Sequence, residues 1–407
     1  MPRQEGAAMS LEAIQRYNET LLETLGEDAG LRDLDALREG IPRAELRAWL
    51  GDFSPPEGPC WEDTRPLSSV DWFPVLENRD LSALPERVLP RWGMVTERCS
   101  LRLLPTGMAI CRRRGDRYDD ILQETALLPG EPLAALHPSR DGQWWYAVTS
   151  FARGWVPAGA IGLCRDWEAW RSAQRMERFL VVTGSGFALP QDPYAPGRRE
   201  LSLGMRLRLL SGPEEARPLR GRVSYDCYLA DWPIRNPDGS LGFLPVAAPI
   251  SRPVREGYLP YRPESAWALA QGLRGEVYGW GGMLGGRDCS ALVQELFRCF
   301  GFRLPRNSEG LSRLPGGIDV SRRSPGEKRA ILRRQRPGTV LWFPGHVMLW
   351  GGERNGKPVC LSAAGSFGAA EGPIQAVNTV VLTFLDVRRP SGETWLQALE
   401  RILPIIP

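Results

Sequence analysis

Apolar positions change their period along this chain, and the changes divide it into four stretches. Residues 1–92 begin helically, because Leu11, Ile14, Tyr17, Leu21 and Leu25 recur at the three- and four-residue steps of an amphipathic helix. A second helix is expected over 44–50. The prolines at 55, 56, 59, 66, 74, 85 and 90 then break regular elements, which predicts an extended segment wrapping over other domains. Residues 93–165 turn to short β runs at 94–97, 109–112, 132–137, 144–150 and 153–156. The turn Ser139-Arg140-Asp141-Gly142 separates two of these runs, and small residues over 158–163 close the stretch. A small barrel fits that spacing. Residues 166–250 repeat the grammar at 179–182, 206–210, 220–224 and 241–245, with Asn236-Pro237-Asp238-Gly239 as a turn. They predict a second small barrel, with one larger β domain as the alternative. Residues 251–407 read as α+β: a helix over 263–273, a Gly-rich loop, a helix starting near Asp288, then strands at 339–343, 346–350, 359–362 and 379–385.

Composition narrows the function more than the fold. At 407 residues, with 43% hydrophobic and 24% charged residues, the chain has ordinary globular composition and room for two to four domains. A net charge of +3, from 51 basic and 48 acidic residues, is too small a surplus for a generic polyanion binder. The basic runs at Arg112-Arg113-Arg114 and Arg333-Arg334-Gln335-Arg336 read as solvated faces, and nucleic acid is not an expected partner. No run approaches the ~20 apolar residues of a transmembrane helix, and residue 1 opens no basic, apolar secretion leader. A cell-envelope or periplasmic location is expected if a leader has been removed, and a cytoplasmic one otherwise. The eight cysteines are irregularly spaced, no CxxC pair occurs, and the only two histidines, His137 and His346, stand far apart. A zinc site is therefore not expected. Cys299, on an apolar helix face, reads as a buried small hydrophobe.

The chemistry concentrates in Tyr278-Gly279-Trp280-Gly281-Gly282 and Arg287-Asp288-Cys289-Ser290. Leu292, Leu296 and Cys299 step by four and three, as do Val293, Phe297 and Phe300, so the helix that follows should be buried. Gly301 sits where a helix end wants positive φ. Asp288 is a good N-cap, and Cys289 falls in the first turn, where the helix dipole favours thiolate. The preceding glycines let backbone approach a bound substrate closely. A thiolate nucleophile needs an imidazole to poise it and to protonate the leaving amine. His137 reads as an exposed loop residue of the first barrel. His346 opens a strand after the turn Pro344-Gly345, from which it can project toward a helix end, and is the candidate base.

These motifs resemble the NlpC/P60 family of cell-wall cysteine peptidases over about 251–390. The whole chain is similar to the subgroup with an N-terminal helical segment and two bacterial SH3-like domains ahead of a papain-like catalytic domain. The resemblance implies an α+β fold with units at 1–92, 93–165, 166–250 and 251–407. It implies hydrolysis of the γ-D-glutamyl–diamino acid bond of peptidoglycan stem peptides or muropeptides, often ones with a free N-terminal L-Ala, by a monomer needing no metal or organic cofactor. Cys289 would be the nucleophile and His346 the proton shuttle. Tyr278 would line the cleft and help stabilise the oxyanion, and Asp288 and Ser290 would hold the substrate ammonium. The first SH3-like domain would lend an aromatic and an acidic residue, for which Tyr118 with Asp119 or Asp120 is the candidate. If that domain narrows the cleft, small muropeptides are accepted and intact peptidoglycan is excluded.

The chain departs from the family pattern in one position that matters. The third catalytic residue is usually a His on the strand after the base, and here Ser362 stands there. Its hydroxyl can accept the imidazole N–H and fix the tautomer, but without a carboxylate's charge. Ser308-Glu309 stands where relatives often carry Gln. Two other readings therefore remain: a catalytically weak peptidoglycan-binding protein on the same fold, and an acyl-transfer enzyme using the same thiolate.

Overall fold

A computed structural model describes residues 8–369 and 372–405. The extreme ends of the first and last stretches, including the start where a leader would lie, fall outside the described residues. Leu11–Thr24 forms the first helix, burying Ile14 and Leu21 and capped by the Ser10 hydroxyl. It packs Tyr17 edge-on against Phe302, and Asn18 bonds both the Gly301 carbonyl and the Arg303 N–H. The N-terminal segment is thereby fastened to the last unit. A second helix spans Arg43–Gly51.

The Pro-rich stretch is not wholly extended, since Ser69–Glu77 is a helix with Pro74 inside it. A reciprocal cap between Ser68 and Asp71 secures the first turn. The carbonyl that Pro74 leaves unpaired belongs to Val70, a residue 76% exposed, so water can satisfy it. The expected strand at 109–112 is a single bridge, Cys111 exchanging two backbone hydrogen bonds with Trp61 of the Pro-rich segment.

The first β unit is a seven-stranded antiparallel sheet. Its order in space is Ile161–Leu163, Arg91–Val95, Pro132–Pro138, Trp144–Val148, Arg153–Pro157, Cys99–Arg102 and Gln123–Leu127. The last strand escapes the pattern reading because Gln123 and Thr125, polar by type, are buried members of its alternation. His137 lies on the strand Pro132–Pro138, buried against Trp155 with Nε2 3.0 Å from the Arg79 carbonyl. It is a core residue and not an exposed loop histidine.

The second β unit is a five-stranded antiparallel sheet. Its longest pair, Cys227–Arg235 with Leu241–Pro249, turns at Gly239 (φ 86°). In the last unit the helix Cys289–Arg298 packs on a six-stranded antiparallel sheet. Its neighbouring strands there are Val340–Phe343, His346–Arg354, Lys357–Gly368 and Ile374–Phe384. The core between helix and sheet holds Leu292, Val293, Leu296, Phe297, Val347, Leu349 and Leu361. This is a papain-like α+β arrangement. All eight cysteines are free thiols. Among the described residues no helix is long and apolar enough to cross a membrane.

Candidate active site

Cys289 is the first residue of its helix, as the Asp288 cap requires: the carboxylate takes the Ala291 N–H at 2.8 Å. The helix is anchored by its apolar stripe and ends at Gly301 (φ 95°). Its start meets the strand that begins at His346, where the Val347 N–H lies against the sulfur. His346 follows the two-residue turn Pro344-Gly345, with Gly345 at φ 84°. The imidazole packs against Phe343 and Trp395, with ring centroids 5.3 and 4.9 Å away.

Ser362 comes from the adjacent strand, and its Oγ is 2.8 Å from His346 Nε2. The same hydroxyl lies 3.3 and 3.2 Å from the Val347 and Ala363 carbonyls. A hydroxyl has one proton, and two carbonyls compete for it, so Oγ is left to accept from Nε2–H. The assigned tautomer then leaves the Nδ1 lone pair for the thiol.

The resting charge state differs from the sequence expectation. Burial, with the neighbouring Asp288 carboxylate, pushes the Cys289 thiol up to about 12. Burial, helped by the Arg389 guanidinium, pushes His346 down to about 4. The helix start does not overcome these effects, so the pair rests as neutral thiol and neutral imidazole. No hydrogen bond between the two is formed among the described residues, as is common before substrate binds. Tyr278 is half-buried with its ring 3.7 Å from the point a Cβ on Gly365 would occupy. Burial, with Cys289 and Asp288 nearby, raises its pKa and keeps the phenol a donor.

Asp288 and Ser290 are placed beside the thiol but are already engaged. Arg306 grips the Asp288 carboxylate with two nitrogens at 3.0 and 2.7 Å. It also donates to Ser290 Oγ at 3.0 Å, while Ser290 donates to Asp288. The remaining Asp288 oxygen position takes the Gly281 N–H. Arg306 is delivered by a bond from Gln294 Nε2 to the Leu304 carbonyl, two residues before it. The charge expected to face a substrate ammonium is therefore neutralised inside the protein.

The first β unit forms a wall of this cleft, through a strand that the sequence reading missed. Gln123 Nε2 donates to the Gly281 carbonyl, Trp280 Nε1 to the Gln123 carbonyl, and Arg306 Nε to Thr125 Oγ1. A Cβ on Gly281 would meet Gln123 Cγ at 2.7 Å, and one on Gly282 would meet Ala126 Cβ at 2.5 Å. The glycines thus admit this strand, where the sequence suggested a substrate. Between Gln123 and Thr125, Glu124 stays exposed to solvent, yet its surroundings desolvate it and raise its pKa, opposed by Arg306. Like Asp119, it has no bonded cation among the described residues, and only its position on the strand could have betrayed it.

Tyr118 is 46% exposed and is not brought against Cys289 or His346 by any contact among the described residues. Asp119 is half-buried, close enough to Tyr278 for its charge to raise the phenol. Asp120 is structural, accepting from Arg102 and from the Ile110 and Leu122 N–H groups.

Comparison with curated protein sequences yields no match. Among the solved structures that match, two share the fold over most of this chain. An NlpC/P60 endopeptidase from Photobacterium damselae subsp. piscicida is 19% identical with a TM-score of 0.72, covering 97% of this chain and 93% of that one. An NlpC/P60 family protein from Bacillus cereus is 16% identical with a TM-score of 0.52, covering 78% of this chain and 100% of that one. Residues 113–157 match the SH3 domain of the SH3b1 type, and residues 275–357 match the NlpC/P60 family. The latter range holds Tyr278, Asp288, Cys289 and His346, so this chain carries an NlpC/P60 family domain, of the cysteine-peptidase kind, together with an SH3b domain.

Proposed function

We propose that this protein is a cysteine endopeptidase that cleaves the γ-D-glutamyl–diamino acid bond of small muropeptides bearing a free N-terminal L-Ala. The observation that carries the reading is that Cys289 and the bonded His346–Ser362 pair meet at a helix start against which the first β unit packs the strand carrying Glu124. Substrate binding brings the thiol proton to His346 Nδ1, and Sγ attacks the γ-carbonyl. The Tyr278 hydroxyl donates to the oxyanion, and the imidazolium returns its proton to the leaving amine. Water then releases the acyl group from Cys289. Arg306 and Asp288 cancel in charge, so Glu124 supplies the net negative charge that an L-Ala ammonium would meet, with Asp119 further along the same wall. The five-stranded second β unit is assigned as another SH3-like barrel.

Mass spectrometry of L-Ala-γ-D-Glu-diaminopimelate incubated with wild type and with Cys289→Ala tests this reading. Release of L-Ala-D-Glu by the wild type alone is the expected result, and no release by the wild type would overturn it. Glu124→Gln should reduce the preference for the free amine over its N-acetyl form by about tenfold or more, the range of a hydrogen bond to a charged group. An unchanged preference would remove Glu124 from the ammonium site.

A second reading is a peptidoglycan-binding protein with little activity. It draws on the neutral resting pair and on a hydroxyl in place of a charged third group. Tight binding of the tripeptide by both proteins, with no product from either, would favour it.

A further inference from the structure

The surroundings of His346 carry a charge of the opposite sign to Glu124. The turn Pro344-Gly345 that delivers His346 is held by Arg389, whose Nη2 donates to the Pro344 carbonyl at 3.2 Å. The guanidinium lies over the Phe343 ring, 4.7 Å from its centroid, and that ring lies against the imidazole. Through the shared Phe343 ring these contacts hold a positive charge close enough to the proton shuttle for His346 to register it in its lowered pKa. The side chain keeps 29% of its surface open.

Its acidic neighbour, Glu393, does not neutralise it closely. The nearest approach is 3.9 Å between Nη1 and Oε2, and Glu393 is itself 56% exposed, so the pair is weak. This contrasts with the helix start, where Arg306 is gripped bidentately by a buried carboxylate. Arg389 stacks on an aromatic ring and spends one donor on a backbone carbonyl. The rest of a planar five-donor group that matches carboxylate geometry remains available.

We infer that Arg389 receives a free carboxylate on the leaving side of the scissile bond, so that the preferred substrate ends at the residue that departs. His346 marks the leaving side, because its imidazolium protonates the departing amine. A carboxylate on the same residue as that amine is one carbon removed from the nitrogen, which places it beside the imidazole. Resting on the peptidase reading above, the cleft then accepts a short zwitterion, with its ammonium toward Glu124 and its carboxylate toward Arg389. A tripeptide ending at the diamino acid fits this polarity. A tetrapeptide, whose corresponding carboxyl is tied up in a further peptide bond, does not.

The test compares L-Ala-γ-D-Glu-diaminopimelate with the analogue amidated at the carboxyl adjacent to the scissile nitrogen, using wild type, Arg389→Gln and Arg389→Lys. Wild type should prefer the free acid in kcat/KM by about 10- to 100-fold, as expected for one charge-assisted hydrogen-bonded contact. Arg389→Gln should bring the ratio near one, and Arg389→Lys should retain part of it. The ratio is taken within each variant, so a loss of folded protein or a displaced His346 cancels. Equal cleavage of both substrates by wild type, or a preference unchanged in Arg389→Gln, would overturn this inference and leave the peptidase reading standing. Failure of wild type to cleave either substrate would overturn both.

Discussion

The two β units are both antiparallel sheets, and both reach the far end of the catalytic helix, the first through an ion pair between Glu131 and Arg298, but the first also meets the start of that helix. The first sends the strand Gln123–Leu127 into the glycine loop ahead of Cys289 and bonds Arg306 beside it. The second meets the far end: Cys299 Sγ donates to the Val182 carbonyl, and a Cβ on Gly204 would stand 2.6 Å from the Glu295 carbonyl. One sheet thus builds part of the site, and the other buttresses the helix that carries it. Similar architecture does not imply a similar role.

That comparison is broken most severely at Arg306. Arg306→Met removes the partner of a buried carboxylate and a tie to Thr125 together. A buried pair broken on one side costs about 3–5 kcal/mol, so the melting temperature should fall sharply and activity with it. A variant that keeps wild-type thermal stability would show that Asp288 does not depend on Arg306.

A matched pair of glycine substitutions sharpens the contrast. Gly282→Ala puts a methyl into Ala126 at a position with φ 81°. It should push the first sheet off the loop and lower kcat/KM by roughly 100-fold, the scale of a 1 Å misplacement in a site. Gly204→Ala, at φ 76° against the Glu295 carbonyl, should cost about 1–3 kcal/mol of stability through strain. Its kcat/KM per folded molecule should stay near wild type. Equal losses of activity in the two variants would mean that both units shape the site.

The sequence makes the chemistry of the last unit more legible than its walls. Asp288, Cys289, the apolar stripe and Gly301 are local signals read along one helix, and the structure places each where that reading puts it. Ser362 was reachable because it needs only strand pairing to meet His346. Glu124 was not reachable, because its strand alternates polar residues that are buried by contact with a loop far along the chain. The role of Arg306 was hidden for the same reason. It lies outside the residues that carry the motif and reaches Asp288 only after the chain turns back through Leu304. Burial also reverses the thiol, since desolvation depends on what covers Cys289 and not on its place in a helix. Pro74 shows the limit of proline as a breaker when the orphaned carbonyl faces water.

The smallest effect expected is one of pH, and it reads the surroundings of His346. With His346 held down to about 4 and the thiol held up to about 12, proton transfer between them leaves the net charge of the pair unchanged across that window. The kcat/KM profile should therefore be flat over neutral pH, with an acid limb near 4 in place of one near the ordinary histidine value of 6.5. The same shift makes His346 a liability to the fold in acid. Between pH 6.5 and about 4 the unfolded chain binds a proton that the folded one refuses, so stability falls as pH falls through that window. Arg389→Gln removes the cationic contribution while leaving the larger effect of burial in place. The acid limb should then move up by only about half a unit, as suits a partly open charge. An acid limb already near 6.5 in the wild type would show that water reaches the imidazole freely, and that the aromatic packing of Phe343 and Trp395 does not hold it neutral.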